Sequence, residues 1–106
     1  MTTDEMLEQR KKTHGSYKAN AKASQTLINI VQETMGNEWN LLQYYQQQSI
    51  MMICMKLARI AAGNPNEIDH WEDIIGYAEL TARELKKRQT AKPRHPYEVA
   101  DREAEE

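Results

Sequence analysis

Residues 56–80, KLARIAAGNPNEIDHWEDIIGYAEL, decide how this chain folds. Before the turn at Gly63, Asn64 and Pro65, two cations, Lys56 and Arg59, ride at the end of an otherwise apolar run. After it, Asp69 and Asp73 stand one helical turn apart. Groups three or four residues apart share a helix face, so each pair leaves its helix on one side. The turn is short, which predicts antiparallel helices with the two faces opposed. A cation on an apolar helix needs a partner, because breaking a buried pair costs about 3–5 kcal/mol. Two arrangements supply one. In the first, Arg59 and Asp73 form a clasp that fixes helix register, with Lys56 and Asp69 at its rim. In the second, the same groups line a pocket where cations meet phosphate oxygens or carboxylates hold Mg²⁺. Structural ion pairs outnumber sites, which favours the clasp for an arbitrary helical protein.

Upstream, a helix is expected from roughly Trp39 to Ala62. Its apolar residues (Ile50, Met51, Ile53, Cys54, Met55, Leu57, Ala58, Ile60, Ala61) cover most of the circumference. Only a strip with Tyr45, Ser49, Lys56 and Arg59 is polar. A helix apolar nearly all round is a buried helix. In a chain of 106 residues that burial calls for a second subunit, so a homo-oligomer is expected. Downstream, a helix from near Asn66 or Ile68 to about Arg88 carries the stripe Trp71, Ile74, Ile75, Ala78, Ala82 and Leu85. Asp69, Asp73, Gly76 and Leu80 lie opposite, with Tyr77 adjoining. Near the amino terminus, Thr2 and Glu5 have capping-box spacing for a short helix from about Asp4 to Lys12. Between these, SYKANAKASQTLINIVQETMG has the 3.6-residue apolar period and ends on Gly36, a helix-capping residue. No strand alternation and no repeat appears. The reading is an all-α, small bundle of about four helices with antiparallel central helices, oligomeric. Residues 1–88 form the domain and residues 89–106 a flexible charged tail.

The chain's size allows one domain and one core. Its net charge of −2 argues against a protein that coats nucleic acid. Six Met and no Phe point to an adaptable core. A single cysteine, Cys54, excludes an internal disulfide and fits a reducing compartment. The polar start MTTDEMLEQRKK has no signal-like apolar stretch, and SIMMICMKLARIAAG is too short to span a bilayer. A cytoplasmic protein without a membrane partner is expected.

The remaining motifs are weaker. His14, His70 and His95 are far apart in sequence, with no zinc-ligand spacing. Trp39, Tyr44 and Tyr45 can stack a base, although aromatics at helical spacing more often pack. His14, Gly15, Tyr17 and Asn20 can form a polar mouth at a helix start, against the plainer reading of an N-terminal turn. The basic run Arg83, Lys86, Lys87, Arg88, Lys92, Arg94 is more often a solvated helix end than a nucleic-acid contact, so nucleic acid is not the expected partner.

The chain resembles a group of small phage and prophage proteins related to the all-α nucleotide pyrophosphohydrolases of the MazG type. The likeness covers roughly residues 10 to 82. It rests on KKTHGSYKAN (Lys11 to Asn20), MMICMKLARIAAG (Met51 to Gly63) and DHWEDIIGYAEL (Asp69 to Leu80). Within these, Gly15, Asn20, Lys56, Arg59, Asp69, Asp73, Gly76 and Tyr77 match the group's pattern, while His14 replaces its usual aromatic. The resemblance implies a helical oligomer that binds a nucleotide or phosphorylated ligand through Lys56, Arg59, Asp69, Asp73, Tyr77, Asn20 and His14. It also implies Mg²⁺ held by acidic residues of two helices while water attacks a triphosphate. Here the first acidic helix reads QYYQQQSIMM, and the neutral Gln46, Gln47 and Gln48 cannot replace anionic ligands. Asp69 and Asp73 remain as a weak half-site, so hydrolysis is at most a residual activity. The resemblance also admits a non-enzymatic interaction protein that modulates a host or phage partner in the host cytoplasm.

Overall fold

The computed structural model describes residues 1–90. Among them are four α-helices and no strand: α1 (Thr3–His14), α2 (Tyr17–Met35), α3 (Tyr44–Ala62) and α4 (Ile68–Thr90). The expected all-α class is what is found. The charged-tail assignment lies outside the described residues from 91 onward; α4 itself runs to Thr90.

Local chemistry sets the boundaries. The Thr2 hydroxyl accepts the Glu5 N–H at 3.1 Å, starting α1 as its spacing predicts. Ser16 does the same for α2 through Ala19 N–H at 3.1 Å. Gly36 ends α2 at φ +58° and returns its N–H to Gln32. The central helix begins five residues later than expected from its apolar pattern. Residues Gly36–Leu41 form a 3₁₀ turn, after which Leu42 and Gln43 are extended. The glutamine run explains the break: Gln46 Oε1 accepts Gln43 N–H at 2.9 Å, and Gln47 Nε2 donates to Trp39 O at 2.8 Å. These side chains spend their hydrogen bonds on a helix start.

α3 packs against α2 on one side and α4 on the other. The α2–α3 seam holds Ser24 and Ile28 from α2 and Cys54 and Ala58, one turn apart, from α3. Small side chains at these points let the helices approach closely. In the α3–α4 seam the charged faces oppose each other as their spacing predicts, but the all-round burial expected of α3 is not found. The polar strip of α3 is the part that faces α4: Ser49 and Lys56 are buried, whereas apolar Met51 and Leu57 are exposed. Thr81 Oγ1 donates to Ser49 Oγ at 2.6 Å, and Ser49 Oγ donates to the Tyr77 carbonyl at 3.5 Å. The packed stripe of α4 therefore contains His70, Asp73, Tyr77 and Thr81. Of the expected apolar stripe, Trp71, Ile75 and Ala78 are turned about a quarter of a revolution away and are exposed, whereas Ile74, Ala82 and Leu85 are half-buried. Buried polar groups on α3 need partners, and this rotation of α4 provides them for Ser49 and Lys56, while the buried Tyr45 hydroxyl finds none among the described residues.

α1 joins the bundle through a backbone crossing. Gly15 has φ +79°, and a Cβ there would sit 1.9 Å from Ala62 O. A Cβ on Gly63 would sit 2.4 Å from both Thr13 O and His14 C. Asn64 N–H donates to Thr13 O at 3.0 Å across the same junction. Gly36 also has positive φ but faces open space. Chemical denaturation should separate the two cases. Gly36→Ala should cost about 1 kcal/mol from left-handed strain alone, whereas Gly15→Ala should cost about 3 kcal/mol or more because backbone overlap is added.

Candidate functional site

The glycine crossing delivers the end of α1 to the carboxyl-terminal end of α3 and the first turns of α4. There, His70, only 3% exposed, places Nε2 2.9 Å from the Thr13 carbonyl. A carbonyl only accepts, so Nε2 carries the proton. The His14 ring meets the His70 ring edge-on, with centroids 5.0 Å apart. The Thr13 hydroxyl hydrogen-bonds His14 Nδ1, and Asn20 Nδ2 donates to His14 O at 3.1 Å.

Lys56 meets Asp73 here, with Nζ 2.9 Å from Oδ2. The Lys56 side chain is 10% exposed and the Asp73 side chain 48%. The clasp anticipated between Arg59 and Asp73 is made by Lys56 instead. Arg59 is left half-buried, with no ion pair among the described residues. The hydrogen bond from Lys56 holds the Asp73 carboxyl below its usual range, helped by the charges of Lys56 and Arg59. Partial burial pushes His14 below 6.5, reinforced by Arg59, His70, Lys56 and Arg10.

Two cavities meet at Arg59 and His14. The smaller, about 240 Å³, is bounded by Thr13, His14, Arg59, Glu67, Asp69, His70 and Asp73. Three carboxylates, one of them paired with Lys56, against one guanidinium leave it acidic. The larger, about 950 Å³, runs between α1 and the α2–α3 pair. It has three cations (Arg10, Lys11, Arg59) against Glu8, an apolar part from Leu7, Tyr17, Ala21 and Met55, and a polar floor from Asn20, Ser24 and Gln25. His14, Gly15, Tyr17 and Asn20, singled out as a polar mouth, all line this larger cavity. Of the other anticipated residues, Arg59, Asp69 and Asp73 come together in the smaller one. Lys56 lies behind them as the Asp73 partner, and Tyr77 lines neither cavity, its carbonyl accepting from Ser49.

Sequence reasoning missed His70, Thr13 and Glu67. His14 and His70 are fifty-six positions apart, and only the glycine crossing brings their rings together. Gly15 next to His14 was the available signal. Among the described residues no three His, Cys, Asp or Glu side chains are grouped to hold a metal ion. Asp73, one of the two proposed Mg²⁺ ligands, is committed to an ammonium. These residues do not fit a resident Mg²⁺ centre. Burial raises the Cys54 thiol pKa, which keeps it protonated and inert. At the end of α4, Arg83 pairs with Glu79 at 2.9 Å and Lys87 with Glu84 at 3.0 Å, so part of the basic run is neutralised within its own helix. Lys92, Arg94 and His95 lie outside the described residues.

The two perturbed groups predict a stepped pH profile. The folded chain disfavours a proton on His14 that the unfolded chain accepts below 6.5, so stability should fall as pH drops through 6.5 toward the lowered folded pKa. Asp73 contributes stability that is full above about 3.8 and lost as pH falls through its own lowered pKa. Urea midpoints between pH 8 and pH 3 should lose the upper step in His14→Gln and part of the lower step in Asp73→Asn.

No helix among the described residues is long and apolar enough to cross a membrane. No curated protein and no solved structure matches the chain. One family does match, over residues 2–85, which includes both cavities and all but the last turn of α4. By that match the chain belongs to the family described as domain of unknown function DUF6378.

Proposed function

We propose that this protein binds a nucleotide, or a phosphorylated molecule of similar size, at the Arg59 junction. One observation carries the reading. Arg59 borders both cavities and has no ion pair among the described residues, because Lys56 has taken Asp73. A guanidinium in that position offers a planar fork of donors suited to phosphate oxygens. Charge decides which cavity takes the phosphates. The acidic smaller cavity repels them, whereas the larger one adds Arg10 and Lys11 from α1. Its volume of about 950 Å³ is ample for a nucleotide, and Leu7, Tyr17 and Met55 give a base an apolar surface. Asp69 and Glu67 then face ligand hydroxyl or amino groups. Mg²⁺ enters this reading only as an ion brought by the phosphates.

The resemblance of residues 10 to 82 to phage proteins of the MazG type supports the same ligand class and a location in a host cytoplasm. Hydrolysis receives less support, since Gln46 and Gln47 serve as helix-start hydrogen-bonding groups where that class has carboxylates. A second reading is an interaction protein that modulates a host or phage partner. It is favoured by Met6 and Leu7, which α1 exposes along a helix with no buried residue, and by exposed Met1 just ahead of it.

Thermal denaturation with a panel of nucleotides tests the proposal. A ligand at a hundred times its Kd should add about 2.7 kcal/mol of stability. Arg59→Gln should abolish the shift while leaving the unliganded midpoint nearly unchanged, since no ion pair is lost. Affinity should rise between pH 7.5 and pH 6, because a bound phosphate favours the protonated His14 ring. Absence of a shift with every nucleotide and with inorganic triphosphate would leave the interaction reading in possession. Pyrophosphate release, measured on the same panel, reports any turnover.

A further inference from the structure

The three long helices form a single row, α2–α3–α4, with α3 in the middle. Protein domains are built from at least two packed layers around a core, and here α1 covers part of one side of the layer while no described element covers the other. Its interior is correspondingly thin: the buried apolar residues among those described are Ile28, Cys54 and Ala58. The row has two sides. At 100° per residue, Arg59 and Met55 of α3 and Asp69 of α4 point to the side that carries both cavities. On the other side the same arithmetic gathers Ile30 from α2, Ile53 and Leu57 from α3, and Trp71, Ile75 and Ala78 from α4. Ile30 is 55% exposed, Leu57 39%, Trp71 49% and Ile75 67%. Apolar side chains from three adjacent helices thus form one continuous face with no charge inside it. Glu72 and Glu79 fall at its margin.

We propose that a second copy of this chain docks on that face, packing row against row about a two-fold axis. The argument for a copy rests on charge and area. A two-fold axis places a patch against itself, so any charge within it would meet its like; this patch has none. Three helices about 9 Å apart and about 25 Å long present roughly 700 Å², close to the ~800 Å² per partner of a standard stable interface. The docking completes the second layer, covers the amphipathic stripe that α4 turns outward, and leaves both cavities open on the far side. It is independent of what binds at Arg59.

Sedimentation equilibrium of the full chain at 5–200 μM tests this, together with the concentration dependence of its thermal midpoint. The expected result is a dimer whose midpoint rises with protein concentration. Ile75→Glu and Leu57→Glu should each shift the equilibrium at least tenfold toward monomer. If either variant fails to fold, the wild-type concentration dependence still decides. Met51→Glu, on the Arg59 side, should leave the dimer intact. A wild-type monomer at 200 μM with a concentration-independent midpoint overturns the proposal. So does a dimer that Met51→Glu breaks while Ile75→Glu and Leu57→Glu do not.

Discussion

Lys56 is buried in the seam between α3 and α4, and a buried ammonium must be met by an anion. That requirement fixes the rotation of α4. Asp73 has to turn inward, and with it come His70, Tyr77 and Thr81, whose polar groups also engage α3 or the end of α1. Trp71, Ile75 and Ala78 of the apolar stripe are consequently turned outward, and Ile74, Ala82 and Leu85 stay half-buried. In a helix free to choose, Trp71 and Ile75 would seek the core, and burying such side chains is worth about 1.5–3 kcal/mol each. One ion pair and a short ladder of hydroxyl contacts override that preference within the single chain. A second layer of helices is the arrangement in which both demands are met.

The same pairing shapes the site. With Asp73 claimed by Lys56, Arg59 has a charge to offer, and the Gly15–Gly63 crossing brings α1 over it. The crossing places His14 beside His70 and creates two adjoining cavities of opposite electrostatic character. A ligand with one anionic end and one end rich in hydroxyl or amino groups suits that division. His14 sits at the boundary with its pKa held down, so a bound anion would change its protonation as well as its contacts.

Much of the fold was legible because its signals are local. Thr2, Ser16 and Gly36 punctuate the helices through hydrogen bonds and backbone conformations that involve only nearby residues. The opposed faces of Lys56, Arg59, Asp69 and Asp73 were legible from spacing. Which cation takes which anion was not, because Lys56 and Arg59 lie three residues apart on one face, and a shift of about one helical turn exchanges them. The apolar count of α3 misled for a related reason. Periodicity reports what a face is made of, whereas burial follows from which neighbour satisfies its polar groups. Ser49 and Lys56 are few, but leaving them unpaired costs more than leaving Leu57 half-exposed. The His14–His70 contact depends on a backbone approach that no pattern of side chains encodes.

Double-mutant cycles on Asp73 measure the central claim directly, because they isolate pairwise coupling from the separate costs of each substitution. Lys56→Met, Arg59→Met and Asp73→Asn would be combined in pairs and compared by equilibrium unfolding at pH 7. The account predicts clear favourable coupling between positions 56 and 73, and coupling near zero between positions 59 and 73. Strong coupling of Arg59 with Asp73 and none for Lys56 would contradict it, since Arg59 would then be the clasp and have no charge to give a ligand.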